Sequence, residues 1–281
     1  MKILPLGRRV AVAASILAIG VGHAMAGQLE DRIGAGDPIR IGFANETPFA
    51  YPGEGNSPEG FVNAHTLGVL KAMGYENIEV VVMDWGGLIP ALNAGRIDIV
   101  TGGLNITGSR CANVAFAEPM LQAGDAFLVP TGNPKGINTY ADLVALEGVF
   151  VTGSGYNTVE IARKEGVPDA NIMQVPGNSE IVAALTAGRA DAGGVTHFSA
   201  IALTEGRDDL EVSDVSQMPD WTINWAAVAF RKDDSDFVEK FNEAQAEFLG
   251  SDAMLQAVAP YGYTEANLPG EQTAAWVCEN R

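Results

Sequence analysis

Residues 88–98 read Leu88-Ile89-Pro90-Ala91-Leu92-Asn93-Ala94-Gly95-Arg96-Ile97-Asp98, and residues 181–191 read Ile181-Val182-Ala183-Ala184-Leu185-Thr186-Ala187-Gly188-Arg189-Ala190-Asp191. Each stretch is an apolar helical segment, a glycine stop and a strand opened by aspartate. Any αβ unit can converge on this pattern. These two sit at matching places in the two halves of a 281-residue chain, which favours two similar lobes, each with its own sheet.

The flanking segments fit that division. The first half predicts strands over 39–44, 78–83 and 97–100, with helices over 62–73 and 85–93. An apolar run at 126–129 is followed by Pro130, Gly132, Asn133 and Pro134, and there the pattern restarts. The second half predicts helices over 139–146, 158–164, 179–187 and 198–204 and strands over 149–152, 172–175 and 191–195. A strand over 225–231 leads out. An amphipathic helix follows over 237–249, with Phe237, Phe241, Ala244 and Phe248 at helical spacing, and a short helix over 252–258. Short apolar runs alternating with helices predict an α/β protein with largely parallel sheets.

Composition narrows the function. Apolar residues make up 47% and charged residues 19%, enough for a sizeable core. The net charge is −18, so phosphate backbones and anionic membrane surfaces are repelled, and no nucleic-acid partner is expected. With 2 cysteines, 3 histidines and no CxxC or HExxH, no metal site is expected. GxSxG and GxxxxGK[ST] are also absent.

Residues 1–26 have the form of a signal peptide. Lys2, Arg8 and Arg9 precede an apolar stretch over 10–21, and Ala24-Met25-Ala26 gives a cleavage site. The stretch is too short to span roughly 30 Å of hydrocarbon. The expected location is therefore the periplasm, and the mature chain is not membrane-embedded. An oxidising compartment allows Cys111 and Cys278 to form a disulfide; two free buried thiols are the alternative.

Taken together, several stretches resemble the solute-binding proteins of ABC importers, in the polar amino-acid group. They are Ile41-Gly42-Phe43-Ala44 before Pro48-Phe49, Gly60-Phe61, Asp84-Trp85 with Leu88 to Leu92, Thr107-Gly108-Ser109-Arg110, and Ala187-Gly188-Arg189-Ala190-Asp191-Ala192. The resemblance implies the two-lobed periplasmic-binding-protein type II fold, with the ligand in the interlobe cleft. Crossings near 129–133 and 229–231 would put 27–129 and 230–281 in lobe 1 and 130–229 in lobe 2. It also implies ABC permease transmembrane subunits as partners, no cofactor, no catalytic residue and a monomer. Within that group the chain is similar to ectoine/hydroxyectoine-binding proteins at Asn45-Glu46-Thr47-Pro48-Phe49, Arg110-Cys111, Gly132 to Gly136, Asn138-Thr139-Tyr140, Phe230 to Asp234 and Cys278. The paired cysteines fit the disulfide.

The implied ligand is a small zwitterion, a carboxylate on a ring with a delocalised cation. Arg110 stands in the carboxylate-clamp position. Glu46 is placed to accept from a ring N–H, and Phe49 and Trp85 offer π faces. Asn105 stands where those binders typically carry a third aromatic, a departure that offers hydrogen bonds instead. Tyr156, Asn157 and Thr158 lie at a strand-to-helix turn suited to an anion. Thr196 occupies the place where amino-acid binders of the group usually hold the α-ammonium with Asp; a neutral Thr suits a diffuse or alkylated cation. Each residue also has an ordinary explanation: a surface Arg, a solvated Glu, core aromatics, a helix cap. Asp191 reads as structural, and His197, Trp221 and Trp225 as packing. A polar amino acid or a betaine remains an alternative ligand. A sensor domain or a dehydratase is an alternative class, but a dehydratase needs a positioned acid or base, and beyond Glu46 or His197 no paired constellation exists.

Overall fold

The structure, a computed structural model, describes residues 29–281; the signal segment expected at 1–26 lies outside the described residues. The chain opens with α1 (Leu29–Gly34), β1 (Ile39–Phe43), a small hairpin of β2 (Tyr51–Pro52) and β3 (Pro58–Glu59), α2 (Phe61–Ala72), β4 (Ile78–Val82), α3 (Leu88–Asn93), β5 (Ile99–Asn105), α4 (Gly108–Cys111) and β6 (Ala115–Phe116). The long β7 (Leu121–Pro130) leads into α5 (Tyr140–Ala145), β8 (Phe150–Gly153), α6 (Asn157–Lys164), β9 (Ile172–Val175), α7 (Asn178–Thr186), β10 (Ala192–Thr196), α8 (His197–Thr204) and β11 (Leu210–Val212). Then β12 (Ile223–Phe230) returns, followed by α9 (Ser235–Phe248), α10 (Asp252–Val258) and α11 (Ala274–Asn280).

The repeated segments form the same local structure. In α3, Gly95 N–H donates to Leu92 O and Arg96 N–H to Ala91 O; in α7, Gly188 N–H donates to Leu185 O and Arg189 N–H to Ala184 O. Both glycines have positive φ, +67° and +64°. This is one helix-stop motif used twice, and it needs a residue without a Cβ at the turn. The aspartate that follows closes each unit onto its neighbour. Asp98 N–H donates to Arg40 O and its carboxylate accepts from Arg40 N–H; Asp191 N–H donates to Val149 O and its carboxylate accepts from Val149 N–H.

The strands run in the order β4-β1-β5-β12-β7-β10-β8-β9. The outer groups β4-β1-β5 and β10-β8-β9 are parallel, but the joins β5–β12, β12–β7 and β7–β10 are antiparallel. The sheets are therefore mixed rather than largely parallel, because the two crossing strands run in opposite directions. Partners change within β7: Leu121 to Gly124 pair with β12, and Asp125 to Leu128 pair with β10. The exchange falls between Gly124 and Asp125, upstream of the crossing expected at 129–133. All of β12 pairs with β5, β6 or the first half of β7, so the return lies before Ile223 rather than at 229–231.

Apolar faces hold the layers. On one face of the first sheet Phe43, Phe61, Phe230, Phe237 and Phe241 pack with α2, α9 and α10; on the other, Leu88, Leu92, Val100, Leu104 and Val277 pack with α3 and α11. Burying each such side chain contributes about 1.5–3 kcal/mol. In the second lobe Leu128, Val151, Ile181 and Leu185 form one cluster, and Phe127, Tyr140, Leu143 and Phe150 another. Cys111 and Cys278 are bonded, which ties α11 to α4 in the first lobe.

Candidate ligand-binding site

The two lobes meet over a small pocket lined by Glu46, Phe49, Trp85, Asn105, Tyr156, Asn157, Thr158 and Thr196 together with Gly102, Gly103, Val195 and Ser199. Eight of the nine expected ligand-binding residues are thus brought together. The ninth, Arg110, is not in the wall.

The loop after β1 folds back on itself. Glu46 N–H donates to Ala50 O, and both Phe49 and Ala50 N–H donate to Glu46 O. This pins Glu46 and Phe49 beside each other at the sheet end. Glu46 is 6% exposed, and its Oε1 accepts from the Tyr156 hydroxyl across the cleft. Burial pushes its carboxyl up to about 7, against the pull of that hydrogen bond. Among the described lining residues it is the sole acid, and no Lys or Arg lines the cavity. Asn178 Oδ1 lies 3.2 Å from the same Tyr156 hydroxyl oxygen.

Aromatic rings form part of the lining. Phe49 packs on Phe61 at 4.7 Å and edge-on to Phe198 of the second lobe at 5.9 Å. It serves the core and the cavity at once. Trp85 stands edge-to-face with Tyr156 at 5.4 Å, and its indole N–H donates to Gly155 O at 3.2 Å. Glycines in β5 make room for these rings. A Cβ at Gly103 would come within 2.7 Å of the Phe49 ring, and one at Gly102 within 3.0 Å of Trp85.

The far wall is built from neutral groups whose hydrogens are partly spent. Thr152 Oγ1 donates to Gly194 O at 3.0 Å. Its single hydrogen is then used, so its bond with Thr158 is one in which Thr158 donates. Thr158 therefore turns lone pairs to the cavity, not the donor that an anion would need. Thr196 donates to Ser199 Oγ at 3.2 Å and accepts from Ser199 N–H at 3.3 Å, capping α8. That leaves the Ser199 hydroxyl as a donor. Asn105 Nδ2 donates to Asn157 Oδ1 at 3.1 Å.

Arg110 sits behind Asn105 and is buried. Its Nη1 donates to Asn105 O and its Nη2 to Gly155 O, both at 2.8 Å, while Trp85 lies 5.9 Å from the guanidinium. Burial without a close carboxylate lowers its pKa to about 10; Glu160 opposes this from a distance. The guanidinium thus ties a carbonyl of each lobe rather than facing the cavity. His197 lies in another depression with Gln122 and Gly124. Trp221 stacks on Tyr140, and Trp225 Nε1 donates to Pro269 O. Ser199 and Val195 escaped sequence reading because they follow from β10 and α8 meeting at Thr196; the helix-cap spacing of Thr196 and Ser199 was the available signal.

Two lobes, two antiparallel crossing strands and a small pocket between them define a solute-binding protein of the two-lobed type II fold. The chain belongs to the bacterial extracellular solute-binding proteins, family 3, whose pattern matches residues 39–263. The probable amino-acid ABC transporter periplasmic-binding protein y4tE of Sinorhizobium fredii is 33% identical over 99% of this chain and 95% of its own length. The arginine-binding extracellular protein ArtP of Bacillus subtilis is 31% identical over 73% of this chain and 77% of its own. A crystal structure of EhuB in complex with hydroxyectoine matches with a TM-score of 0.80 and 27% identity, covering 88% of this chain and 96% of that one. As a family member the protein is the solute-binding component of an ABC importer, with permease subunits as partners. Among the described residues no helix is long and apolar enough to cross a membrane.

Proposed function

We propose that the protein captures a small zwitterionic compatible solute of the ectoine/hydroxyectoine class in the periplasm and delivers it to its permease by hinge closure. The observation that carries this reading is Glu46. It is the one acid of the lining, it is buried, and it shares that lining with the Phe49 and Trp85 rings and with the acceptor Thr158. A ring cation with N–H donors and diffuse charge matches that set: Glu46 takes the N–H, the rings take the charge, and Thr158 Oγ1 takes a further donor. The wall offers no second acid at Thr196 for a compact α-ammonium. The solute carboxylate meets the N-terminus of α6 and the Ser199 hydroxyl. On this reading Arg110 stabilises closure by bridging the lobes and does not clamp the carboxylate directly. The likeness to EhuB with hydroxyectoine supports the same class.

A second reading, a polar amino acid, is favoured by the names of the relatives, several of which are described as amino-acid or arginine binders. Thermal-shift and calorimetric titration of ligand-stripped protein with ectoine, hydroxyectoine, glycine betaine and the amino acids separates the two. A ligand at a thousand times its Kd stabilises by about 4 kcal/mol. Stabilisation by ectoines but not amino acids is expected; the reverse overturns the proposal.

The pH dependence tests Glu46 itself. A cationic group binds the ionised carboxylate, while the ligand-free site holds its proton up to about pH 7. Affinity therefore falls as pH drops below 7, approaching tenfold per unit. Glu46→Gln binds weakly and loses this slope. A wild-type affinity that is flat between pH 5 and 8 would remove Glu46 from the recognition of the cation.

A further inference from the structure

Behind the cavity runs a chain of buried side chains that reaches both crossing strands. Asn105 Nδ2 donates to Asn157 Oδ1 at 3.1 Å, Asn157 Nδ2 to Asn224 Oδ1 at 3.4 Å, and Asn224 Nδ2 to Asp125 Oδ1 at 2.9 Å. The Tyr140 hydroxyl donates to Asp125 Oδ2 at 3.2 Å. All five residues are buried. The path starts on β5 in lobe 1, enters lobe 2 at α6, passes to β12 and ends on β7 at the residue where that strand changes partners. Neither Asp125 nor Asn224 lines the cavity, and neither has a role in the binding scheme above.

We propose that Asp125 and Asn224 are positioning residues for ligand binding: from the crossing strands they fix which end of the Asn105 amide faces the solute. The inference rests on the cavity being the solute site.

The argument is one of hydrogen-bond polarity. A carboxylate only accepts. Asn224 must therefore turn its NH₂ toward Asp125, and the same NH₂ also donates to Thr222 O at 2.8 Å. With both hydrogens engaged, its Oδ1 is left for Asn157. That orients the Asn157 amide, whose Oδ1 then faces Asn105. Asn105 spends a hydrogen there and keeps its Oδ1 as an acceptor. The cavity wall thereby presents a carbonyl oxygen at Asn105. It reads a donor on the ligand, such as a hydroxyl or a ring N–H.

Asp125 is held among uncharged partners: Asn224 from β12, Tyr140 from α5 and, opposite it on β10, Thr196. Burial raises its carboxyl to about 7 against those hydrogen bonds, and Glu165 acts on the Tyr140 phenol from further away. Titrating Asp125 should therefore be felt along the amides.

The experiment follows side-chain NH₂ resonances of Asn224, Asn157 and Asn105 in ¹H–¹⁵N spectra of ligand-free protein between pH 5 and 9. In the wild type the three pairs are expected to shift along one common curve. Asp125→Asn, which keeps the volume but removes the titration, abolishes that curve. Glu46→Gln leaves it in place. Amides at 157 and 105 that ignore the titration, or that still follow it in Asp125→Asn, overturn the proposal. The binding arm uses Asn224→Ala with ectoine, hydroxyectoine and the amino acids as probes. Loss of about tenfold in affinity for whichever solute the wild type binds is expected, with the single thermal transition retained. Unchanged affinity overturns the proposal. If the wild type binds none of the probes, the solute assignment fails while the resonance experiment still decides the positioning role.

Discussion

Asp98 and Asp191 occupy the same place in the two repeated units, and each closes a helix–strand turn by the same pair of backbone hydrogen bonds. Their surroundings differ. Asp98 is fully buried and receives Arg32 Nη1, Arg40 Nη2 and Arg231 Nη2 at 2.7, 2.8 and 3.0 Å. Asp191 is partly exposed and meets one flexible partner, Lys135 Nζ at 2.8 Å, whose side chain is 53% exposed. The difference follows from chain path. Lobe 2 is one continuous stretch and needs no further closure. Lobe 1 is assembled from distant segments, and the three arginines come from α1, β1 and the stretch just after β12. One local motif has been elaborated into a buried junction only where the chain has to be gathered.

The sharpest way to break the comparison is to remove each acid. Asp98→Ala leaves three guanidiniums without their shared partner, although Arg231 keeps Asp234 at 2.8 Å. It also strips the acceptor from Arg40 N–H. Removing one side of a buried ionic cluster costs about 3–5 kcal/mol. Chemical denaturation should show that loss with the unfolding slope preserved. A loss under 1 kcal/mol would mean that the arginines are solvated well enough without Asp98, and that the junction holds by packing alone.

Acid titration sharpens the same contrast with a smaller effect. Burial by itself would raise the Asp98 carboxyl, but the hydrogen bonds from Arg40 and Arg32 outweigh it and hold the pKa near 2, below the ordinary 3.8. A depressed folded pKa means that the unfolded chain binds the proton first. The stabilisation is therefore complete above about pH 4 and disappears as pH falls through 2, amounting to about 2–3 kcal/mol. The gap between wild type and Asp98→Ala should narrow over that window. Glu46 and Asp125, both raised to about 7, act with the opposite sign between roughly pH 4 and 7 and leave the acid window clear. A gap that stays constant down to pH 2 contradicts the depressed carboxyl.

The repeated units were legible because a glycine stop and an aspartate leave a short-range trace in the sequence. So were most cavity residues, since the loops after strand ends announce themselves by motif. The crossing points were not. The apolar run at 126–129 is only the half of β7 buried in lobe 2; Gln122-Ala123-Gly124-Asp125 carries no strand pattern, yet it is where the partners change. Helix α11 was missed because Ala274 to Asn280 is short, and Thr273, its cap, accepting from Trp276 N–H, lies in a polar tail. Arg110 was read by its position along the chain, but its direction is decided by Gly155 O, a carbonyl 45 residues away. Asp125 and Asn224 gave no sign, since their meaning exists only where two strands about a hundred residues apart lie side by side.

The smallest expected effect completes the comparison. Lys135 reaches Asp191 from the loop that follows β7, and half of its side chain remains in water. Exposed ion pairs of this kind contribute about 0–1 kcal/mol, because a long side chain gives up its freedom for a contact that water and salt weaken. The tie that matters for Asp191 is the bond it accepts from Val149 N–H at 2.8 Å, and that bond does not depend on the lysine. Lys135→Ala should therefore move the denaturation midpoint hardly at all, and less still in high salt. Asp191→Ala should cost more than Lys135→Ala, since it also leaves the Val149 amide without its acceptor. If the two variants cost the same, the ion pair and not the strand closure is what the second unit keeps its aspartate for. The parallel with Asp98 would then lie in charge rather than in backbone geometry.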